Sequence, residues 1–371
     1  MTITVDCRML GASGVGVYLA ECLACFLAAP HRFLLLGDRE KLSAMFPGRD
    51  NVVIADCAVR PFSLRELFLF PRDIAKQINE TDVYFSAYFN IPAGIKIPVY
   101  TTIHDIIFPD MPELTSKAGL AVRMGFFRRA FRKSKTVFTV SAFSKSRIEY
   151  HLGRKTPVVV VYSGVKRYFA LDAGNAGGVQ KTGDILFAGN IKKHKGLSVL
   201  LKAYFMARAE GLQNRLVIAG NENNFRSKDH DALAVLQNAD PEVIRFTGLL
   251  SHEELKTLFI RSALLVQPSF YEGFGLPPLE AMFCGTRALV SDIPVFKEIY
   301  RDFPVVFFHT GDANDLKEKL MDLLHNKEPV PVQLSDDLKE RYTYEKAAST
   351  IIREMETTCR ATCRGGGAGN D

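Results

Sequence analysis

The chain has 371 residues, 47% of them hydrophobic and 24% charged, with a net charge of +6. The length predicts two domains rather than one core, and the composition excludes a disordered or fibrous protein. No apolar run approaches the roughly 18 residues that a membrane span requires, and no basic region followed by an apolar run opens the chain. We therefore expect a cytoplasmic protein without a signal peptide.

The first predicted elements are a strand, a glycine loop and a helix. A β-branched run, Ile3-Thr4-Val5, precedes the segment MLGASGVGVYLAE, residues 9–21. Glycine loops of this kind let the backbone approach a phosphate. This segment alone does not say which phosphate would be bound.

A dinucleotide cofactor is one interpretation of the glycine loop. The letters GASGVG resemble the cofactor loop of short-chain dehydrogenases, and Tyr162 and Lys166 form a Y-x-x-x-K. The dehydrogenase chemistry requires that tyrosine and that lysine on one helix face. Here Tyr162 ends the run VVVV and Gly164 follows in a turn. An NAD(P)-dependent dehydrogenase is therefore the disfavoured alternative.

A basic helix is predicted later in the same half of the chain. Nine Lys or Arg and no acid lie between Leu114 and Ile148, and LAVRMGFFRRAFRKSK, residues 120–135, places apolar residues at helical spacing. Two interpretations stay open. The helix either lies on an anionic membrane surface, which makes the protein peripheral on the inner face of the cell membrane, or packs on the core with a solvated basic face. Because no recognised binding motif accompanies the charge, we expect no nucleic acid partner.

Short apolar runs alternate with helical stretches throughout, which predicts parallel, doubly wound α/β sheets. The Gly- and Ala-rich segment 171–184 separates two series of runs and indicates a linker. We therefore expect Rossmann-like domains over residues 1–170 and 185–335. The stretch 336–358 is expected to form a helix that packs back on the N-terminal domain, followed by a flexible tail over 359–371.

The segment QPSFYEGFGLPPLEAMFCGTRALVSD, residues 267–292, is the most specific. It predicts a strand, a glycine loop with Glu272, and a helix that opens at Pro277-Pro278 and contains Glu280. The helix start offers N–H groups to a diphosphate or to sugar hydroxyls, and carboxylates accept hydrogen bonds from sugar diols. For a bare pair of glutamates at this spacing, two exposed acids on an ordinary strand–turn–helix would be the better explanation.

With EGFGLPPLEAMFCG at its centre, this segment closely resembles the signature of family 4 glycosyltransferases, which are retaining enzymes of the GT-B fold. The first glycine loop and the segments YTTIHDIIFPDMPE, VFTVSAFSK, FAGNIKKHKG and FTGLLSHEEL also resemble that family. The resemblance implies an α/β protein whose two Rossmann-like domains face each other across a cleft. The first domain would bind the acceptor and the second the nucleotide-sugar. The chain resembles in particular bacterial mannosyltransferases of surface polysaccharide synthesis.

The resemblance also implies roles for individual residues. The expected catalytic residues are Glu272, beside the transferred sugar, His104, near the reaction centre, and Lys195, on the leaving diphosphate, whose charge a preorganised cation stabilises. The expected donor-binding residues surround the sugar, the diphosphate and the nucleoside: Glu280 on the ribose hydroxyls, Gly273, Phe274, Gly275, Leu276, Asn190, Gly14, Gly16 and Leu249. For Gly14 and Gly16 two uses stay open, contact with the donor diphosphate or shaping of the acceptor site.

One position departs from the family pattern. Asn190 stands where most members have an arginine five residues before the lysine, and Lys192, Lys193 and Arg8 are candidates for the missing cation. The only D-x-D of the sequence, Asp229-His230-Asp231, lies in a polar stretch after a predicted strand. We expect neither a metal nor another cofactor.

These features together predict a metal-independent, retaining hexosyltransferase. The expected donor is GDP-mannose, with dTDP-rhamnose, UDP-sugars and GDP-fucose as alternatives. The expected acceptor is a glycan, or a glycan linked to polyprenyl diphosphate, in the synthesis of a surface polysaccharide such as lipopolysaccharide. A nucleotide-sugar-binding protein without transferase activity is the second hypothesis, and the presence of Glu272, Lys195 and Glu280 argues against it.

Overall fold

The computed structural model describes residues 1–371 except 12, 171–180, 221–235, 237–238, 249, 326–327, 329 and 366–371. The chain divides into two compact units. Unit 1 comprises Met1–Gly164 and a returning C-terminal segment from Thr343, and unit 2 comprises Val165–Tyr342.

Unit 1 is built on a parallel sheet. Within the described residues its seven strands are β1 (Thr2–Asp6), β2 (Arg32–Gly37), β3 (Val52–Asp56), β4 (Val83–Ser86), β5 (Val99–Thr102), β6 (Thr136–Thr139) and β7 (Val158–Val160). Their order is β3-β2-β1-β4-β5-β6-β7. The direction of winding reverses between β1 and β4, at the point where doubly wound folds bind their ligands.

Unit 2 repeats this plan. The strands that the structure describes there are β8 (Ile185–Ala188), β9 (Leu216–Ala219), β10 (Ile244–Phe246), β11 (Leu264–Gln267), β12 (Arg287–Ser291) and β13 (Val305–Phe308). Their order is β10-β9-β8-β11-β12-β13, and neighbouring strands pair in parallel. The winding reverses between β8 and β11, so the loops that follow these two strands lie at the switch point.

Helices connect the strands and cover the sheets. The described helices are α1 (Ser13–Phe26), α2 (Arg39–Met45), α3 (Leu64–Phe68), α4 (Arg72–Asn79), α5 (Ile107–Asp110), α6 (Lys117–Lys133) and α7 (Ala142–Leu152) in unit 1, then α8 (Arg167–Ala170), α9 (Leu197–Ala209), α10 (His252–Arg261), α11 (Leu276–Phe283), α12 (Pro294–Ile299), α13 (Ala313–Leu324) and α14 (Asp336–Arg341) in unit 2, and α15 (Tyr344–Gly365), which returns to unit 1. Short 3-10 turns lie at Pro112–Leu114 and Lys193–Lys195. None of the described helices is both long enough and apolar enough to span a bilayer.

The boundary between the units differs from the predicted one. We expected the first domain to continue to residue 170, but the structure assigns residues from Val165 onward to unit 2. The physical reason is aromatic packing, because Tyr168 stacks on His252 and Phe169 packs edge-on against Phe259.

Most of the predicted linker, residues 171–180, lies outside the described residues. The rest of it is part of unit 2, where Lys181 donates hydrogen bonds to the carbonyls of Ile260 and Ser262. The folded part of unit 2 therefore begins before residue 185.

The C-terminal stretch forms two helices rather than one. α14 belongs to unit 2, whereas α15 belongs to unit 1 and contacts α1. α15 buries an apolar stripe at helical spacing, formed by Ala347, Ala348, Ile351 and Met355. It extends to Gly365, so the first part of the predicted tail is helical, and residues 366–371 lie outside the described part of the chain.

The predicted basic helix exists as α6, and its apolar face is already occupied. Phe127, Ala130 and Phe131 are buried in the core of unit 1, while Arg128 and Arg132 are exposed. This geometry matches the core-packed interpretation. A membrane interaction through α6 would rest mainly on its charges, with Val122 as an exposed large apolar side chain.

Candidate functional site

The loop after β11 carries a buried carboxylate in an ion pair. Glu272 is 8% exposed, and Lys195 Nζ donates to its Oε1 and Oε2 at 2.7 and 2.8 Å. The hydroxyl of Ser269 and Nε2 of Gln267 also donate to Oε1, at 2.7 and 3.3 Å. Two segments that are distant in sequence thus meet at the switch point of unit 2, and the meeting brings two of the predicted catalytic residues, Glu272 and Lys195, into contact.

Lys195 keeps Glu272 ionised in spite of burial. Burial by itself raises the pKa of a carboxyl group, but the charge and hydrogen bonds of Lys195, together with Ser269, lower the pKa of Glu272 below its ordinary 4.5. Burial and the neighbouring Lys195 charge lower the pKa of His194 to about 4, so this histidine is neutral at pH 7. Lys195 keeps a fifth of its side chain exposed and can reach a ligand.

A glycine holds the two loops together. Gly196 has φ +69°, and a Cβ at this position would collide with the carbonyl oxygen of Pro268. The N–H of Phe270 donates to the carbonyl of His194 at 2.8 Å. The loop after β8 therefore approaches the loop after β11 backbone to backbone, which fixes Lys195 opposite Glu272.

α11 begins at a second constrained glycine. Gly275 caps the helix with φ +91°, and a Cβ there would collide with the ring of Phe296. The hydroxyl of Tyr300 donates to the Gly275 carbonyl, and Phe274 is buried. Because glycine has no side chain, the helix lacks a capping hydroxyl or carboxylate at its positive end, next to Leu276.

Glu280 lies inside α11 and has a lysine partner that the sequence interpretation missed. It is 5% exposed, and Lys166 Nζ lies 3.4 Å from its Oε1. Burial raises the pKa of Glu280 above its ordinary value, and the charges of Lys166 and His252 oppose that rise. Each carboxylate of the E-x₇-E pair therefore has its own lysine.

No local pattern could have identified Lys166. We considered it only as part of the Y-x-x-x-K of a dehydrogenase, and the structure places Tyr162 in the loop after β7 and Lys166 before α8, on no shared helix. Its approach to Glu280 depends on the packing of α8 against α11. That contact is tertiary, and the sequence of neither segment predicts it.

Gly273 is buried in the loop after β11, and the other predicted residues of unit 2 lie at the surface or outside the described residues. Asn190 follows β8 and is exposed, as are Lys192 and Lys193. Leu249 lies outside the described residues, and so does the D-x-D segment 229–231. In the part of the chain that the structure describes, no three His, Cys, Asp or Glu side chains are grouped so that they could hold a metal ion. The expected metal independence stays a prediction.

In unit 1, His104 lies at the carboxyl end of β5, as predicted. Its Nε2 is 2.9 Å from the Ala87 carbonyl, which can only accept, so Nε2 carries the proton and Nδ1 is the acceptor nitrogen. The ring of Tyr18 packs edge-on at 4.7 Å between centroids. Burial lowers the pKa of His104 to about 4, and the imidazole is neutral at pH 7.

The two predicted glycines of unit 1 lie inside α1 rather than in a loop, and they differ from each other. Gly16 is buried, and a Cβ there would lie 2.6 Å from the Met9 carbonyl oxygen and 2.7 Å from the Gly11 nitrogen. Gly14 is exposed, and a Cβ there would meet nothing within 4 Å. Packing within unit 1 thus explains Gly16, and the contact of either glycine with a donor stays a prediction.

Arg8 lies in a buried cluster of charges in unit 1. Its Nη2 lies 2.6 Å from Asp6 Oδ2 and 2.6 Å from Glu66 Oε1, and its side chain is 3% exposed. The hydroxyl of Tyr84 also donates to Asp6 at 2.6 Å. Arg8 therefore pairs with two buried carboxylates of unit 1, whereas the other two candidates for the missing cation, Lys192 and Lys193, are exposed.

Solved structures define the fold class. HepE of Anabaena, in complex with UDP and glucose, matches with a TM-score of 0.67 at 16% identity, over 96% of this chain and 99% of that chain. At this identity the likeness concerns the fold alone, which is GT-B with two Rossmann-like, parallel-sheet units. The predicted fold class is thereby confirmed.

Two family models match along the sequence. The model described as Glycosyltransferase Family 4 matches residues 12–167, and the model described as Glycosyl transferases group 1 matches residues 175–343. Together they cover most of the chain and define its class, a glycosyltransferase. More particularly, the chain belongs to glycosyltransferase family 4.

The curated relatives include mannosyltransferases. O-antigen chain mannosyltransferase B of Escherichia coli is 29% identical over 247 residues, which are 63% of this chain and 62% of that protein. Serotype-specific mannosyltransferase WbdA of Escherichia coli is 30% identical over 198 residues, which are 50% of this chain and 24% of that protein. Each match spans less than two thirds of the relative.

Proposed function

We propose that this glycosyltransferase moves mannose from GDP-mannose to a glycan, or to a glycan linked to polyprenyl diphosphate, in the synthesis of a cell-surface polysaccharide. The reaction retains the configuration of the anomeric carbon, needs no metal, and takes place in the cytoplasm at the inner face of the cell membrane. The observation that carries the proposal is the buried Lys195–Glu272 pair in the loops beside α11. The mannosyltransferase relatives support the choice of sugar.

Lys195 and α11 have the chemistry that a departing diphosphate requires. Breakage of the bond between the anomeric carbon and the phosphate oxygen leaves negative charge on the nucleotide. A lysine held in place by Glu272, together with the positive end of a helix, stabilises that charge without reorganising. The acceptor hydroxyl then bonds to the anomeric carbon, and its proton passes to an oxygen of the departing phosphate on the same face.

The two carboxylates would orient the donor. An ionised Glu272 accepts hydrogen bonds from hydroxyls of the transferred sugar, and Glu280 accepts them from the ribose diol. The neutral imidazole of His104 suits contact with a sugar hydroxyl rather than with a phosphate. The backbone from Gly273 to Leu276 would hold sugar hydroxyls and phosphate.

The first test is a thermal shift with GDP, UDP, dTDP, NADH and NADPH, each with EDTA present. A ligand that binds only the folded state raises its stability, so we expect GDP alone to raise the melting temperature. A shift with UDP or dTDP alone would correct the donor, and a shift with NADH or NADPH alone would overturn the proposal.

Turnover is the second test. We expect transfer from radiolabelled GDP-mannose to a lipid extract that contains polyprenyl-linked glycans, and NMR of the product to show the donor's anomeric configuration. Glu272→Gln and Lys195→Met should abolish transfer, while Lys202→Met, a change at an exposed lysine of α9, should retain it. Stabilisation by GDP without any transfer would indicate a binding protein instead of an enzyme.

A further inference from the structure

Helix α3 has an inverted distribution of side chains. Leu64, Phe68 and Leu69 are 75%, 74% and 75% exposed, whereas Glu66 is fully buried. We call Leu64, Phe68 and Leu69 the apolar patch. A surface helix of a soluble protein ordinarily turns its apolar residues inward and its charges outward.

Buried charges hold α3 in this orientation. Glu66 accepts from Arg8 Nη2 at 2.6 Å and from the N–H of Phe62 at 2.6 Å. The side chain of Asn90 donates to Glu66 at 3.2 Å. Because these contacts lie on the inner side of the helix, the apolar patch cannot turn inward without breaking a buried ion pair, which is costly.

The surroundings of the apolar patch are basic. Arg60, Arg65 and Arg72 are exposed within the same short stretch, against one exposed acid, Asp73, beside Arg72, while Glu66 is buried against Arg8. α6 is a neighbour, because Phe62 packs edge-on against Phe126 with ring centroids 5.1 Å apart. α6 also exposes arginines, as described above, and its own apolar face is buried.

We propose that the apolar patch inserts into an anionic lipid surface, with Arg60, Arg65 and Arg72 on the headgroups. Exposed apolar side chains in a contiguous patch mark interaction sites. Apolar side chains flanked by arginines are the combination that binds at the boundary between headgroups and acyl chains. The positive charge selects an anionic lipid surface as the occupant rather than a second copy of this basic chain.

The proposal extends the predicted membrane contact to a different element. The sequence suggested residues 120–135, but Val122 is the large apolar side chain that this helix exposes, whereas α3 and its C-cap expose three together. The proposal rests on the proposed function in one respect, which is that a lipid-linked acceptor would lie at the membrane. Lipid binding is measured without turnover, so the two can fail separately.

The test is sedimentation of the full chain with sucrose-loaded vesicles at low salt. We expect binding to vesicles of equal parts phosphatidylcholine and phosphatidylglycerol, and none to phosphatidylcholine alone. The triple variant Leu64→Ser, Phe68→Ser, Leu69→Ser should lose binding, because each apolar side chain contributes about tenfold. Arg65→Gln with Arg72→Gln should weaken binding about fivefold per charge and reduce its salt dependence.

Matched controls separate the apolar patch from general effects. Val53→Ser changes an apolar side chain that is 63% exposed on β3, and Arg301→Gln removes an exposed charge of unit 2. Both controls should bind vesicles as the unaltered chain does, and the triple variant should keep its thermal shift with GDP. The proposal is overturned if the triple variant still sediments with mixed vesicles, or if size-exclusion chromatography shows a dimer that the triple variant abolishes.

Discussion

Replacement of Lys195 by methionine removes the cation that keeps Glu272 ionised. Glu272 stays buried, with Ser269 and Gln267 as its remaining donors. Loss of one partner from a buried ion pair costs about 3–5 kcal/mol. Because Lys195 is one-fifth exposed and two donors remain, we expect a smaller loss than this, about 2–3 kcal/mol at neutral pH.

This loss of stability depends on pH in a definite direction. In the unaltered chain the pKa of Glu272 lies below 4.5, so the contribution of the pair is complete above pH 4.5 and is lost as the pH falls through the folded pKa. Burial without Lys195 raises that pKa above 4.5. The variant therefore loses stability as the pH rises from 4.5 through its raised pKa, and the difference between the two proteins grows from acid to neutral pH.

Circular dichroism melting of both proteins across this pH range measures the effect. At about 2–4 °C per kcal/mol for a unit of this size, the variant should melt about 4–12 °C lower near pH 7. Lys192→Met, a change at an exposed lysine, should melt like the unaltered chain. Adding Glu272→Gln to Lys195→Met should recover most of the loss, since an amide needs no counter-charge. An equal loss at every pH, or no recovery in the double variant, would refute the reasoning.

Three further predictions concern other parts of the two units. Lys166→Met should weaken GDP binding about tenfold in calorimetry, because Glu280 loses the charge that opposes its protonation, and the loss should shrink for a 2′,3′-dideoxy analogue; an equal loss for both ligands would contradict the assignment to the ribose. Gly16→Ala should destabilise unit 1 by about 1–3 kcal/mol through its collision with the Met9 carbonyl, whereas Gly14→Ala should be neutral or stabilising by up to about 1 kcal/mol in urea unfolding. Equal effects of the two substitutions on the free energy of unfolding would show that the close approach at Gly16 does not determine which glycine is required. The imidazole of His104, with a pKa of about 4, should show no titration in NMR between pH 5 and 8, and it should lower stability as the pH falls from 6.5 to about 4, because the unfolded chain binds the proton first. A midpoint near 6.5 would contradict its burial.

The sequence predicted the sheets because parallel strands covered by helices on both faces are continuous apolar runs. β8 and β11 are buried at every position, and their sequences are short apolar runs. The start of α10 also has a local signal, since Ser251 and Glu254 form a capping box there. Each of these elements can be predicted from its own stretch of sequence.

Local sequence patterns do not predict ion pairs between segments that are distant in the chain. The ion pair of Arg8 with Glu66 was not predicted, because Glu66 lies in a segment with no recognisable motif. Lys166 was considered only within a Y-x-x-x-K that we disfavoured, and its approach to Glu280 depends on α8 packing against α11. The orientation of α3 was also hidden, since a buried glutamate and exposed leucines reverse the pattern from which burial is inferred.

The two-part composition of unit 1 sets the order in which the protein can be completed. The chain leaves unit 1 after Gly164 and returns to it at Thr343, and a Cβ on Gly164 would collide with the backbone of Tyr344. During translation, all of unit 2 emerges as one uninterrupted stretch. Helix α1 stays uncovered until α15 has been synthesised. On the ribosome the unit that is begun first is therefore finished last, and a nascent chain stopped before residue 343 presents a chaperone with the uncovered face of α1.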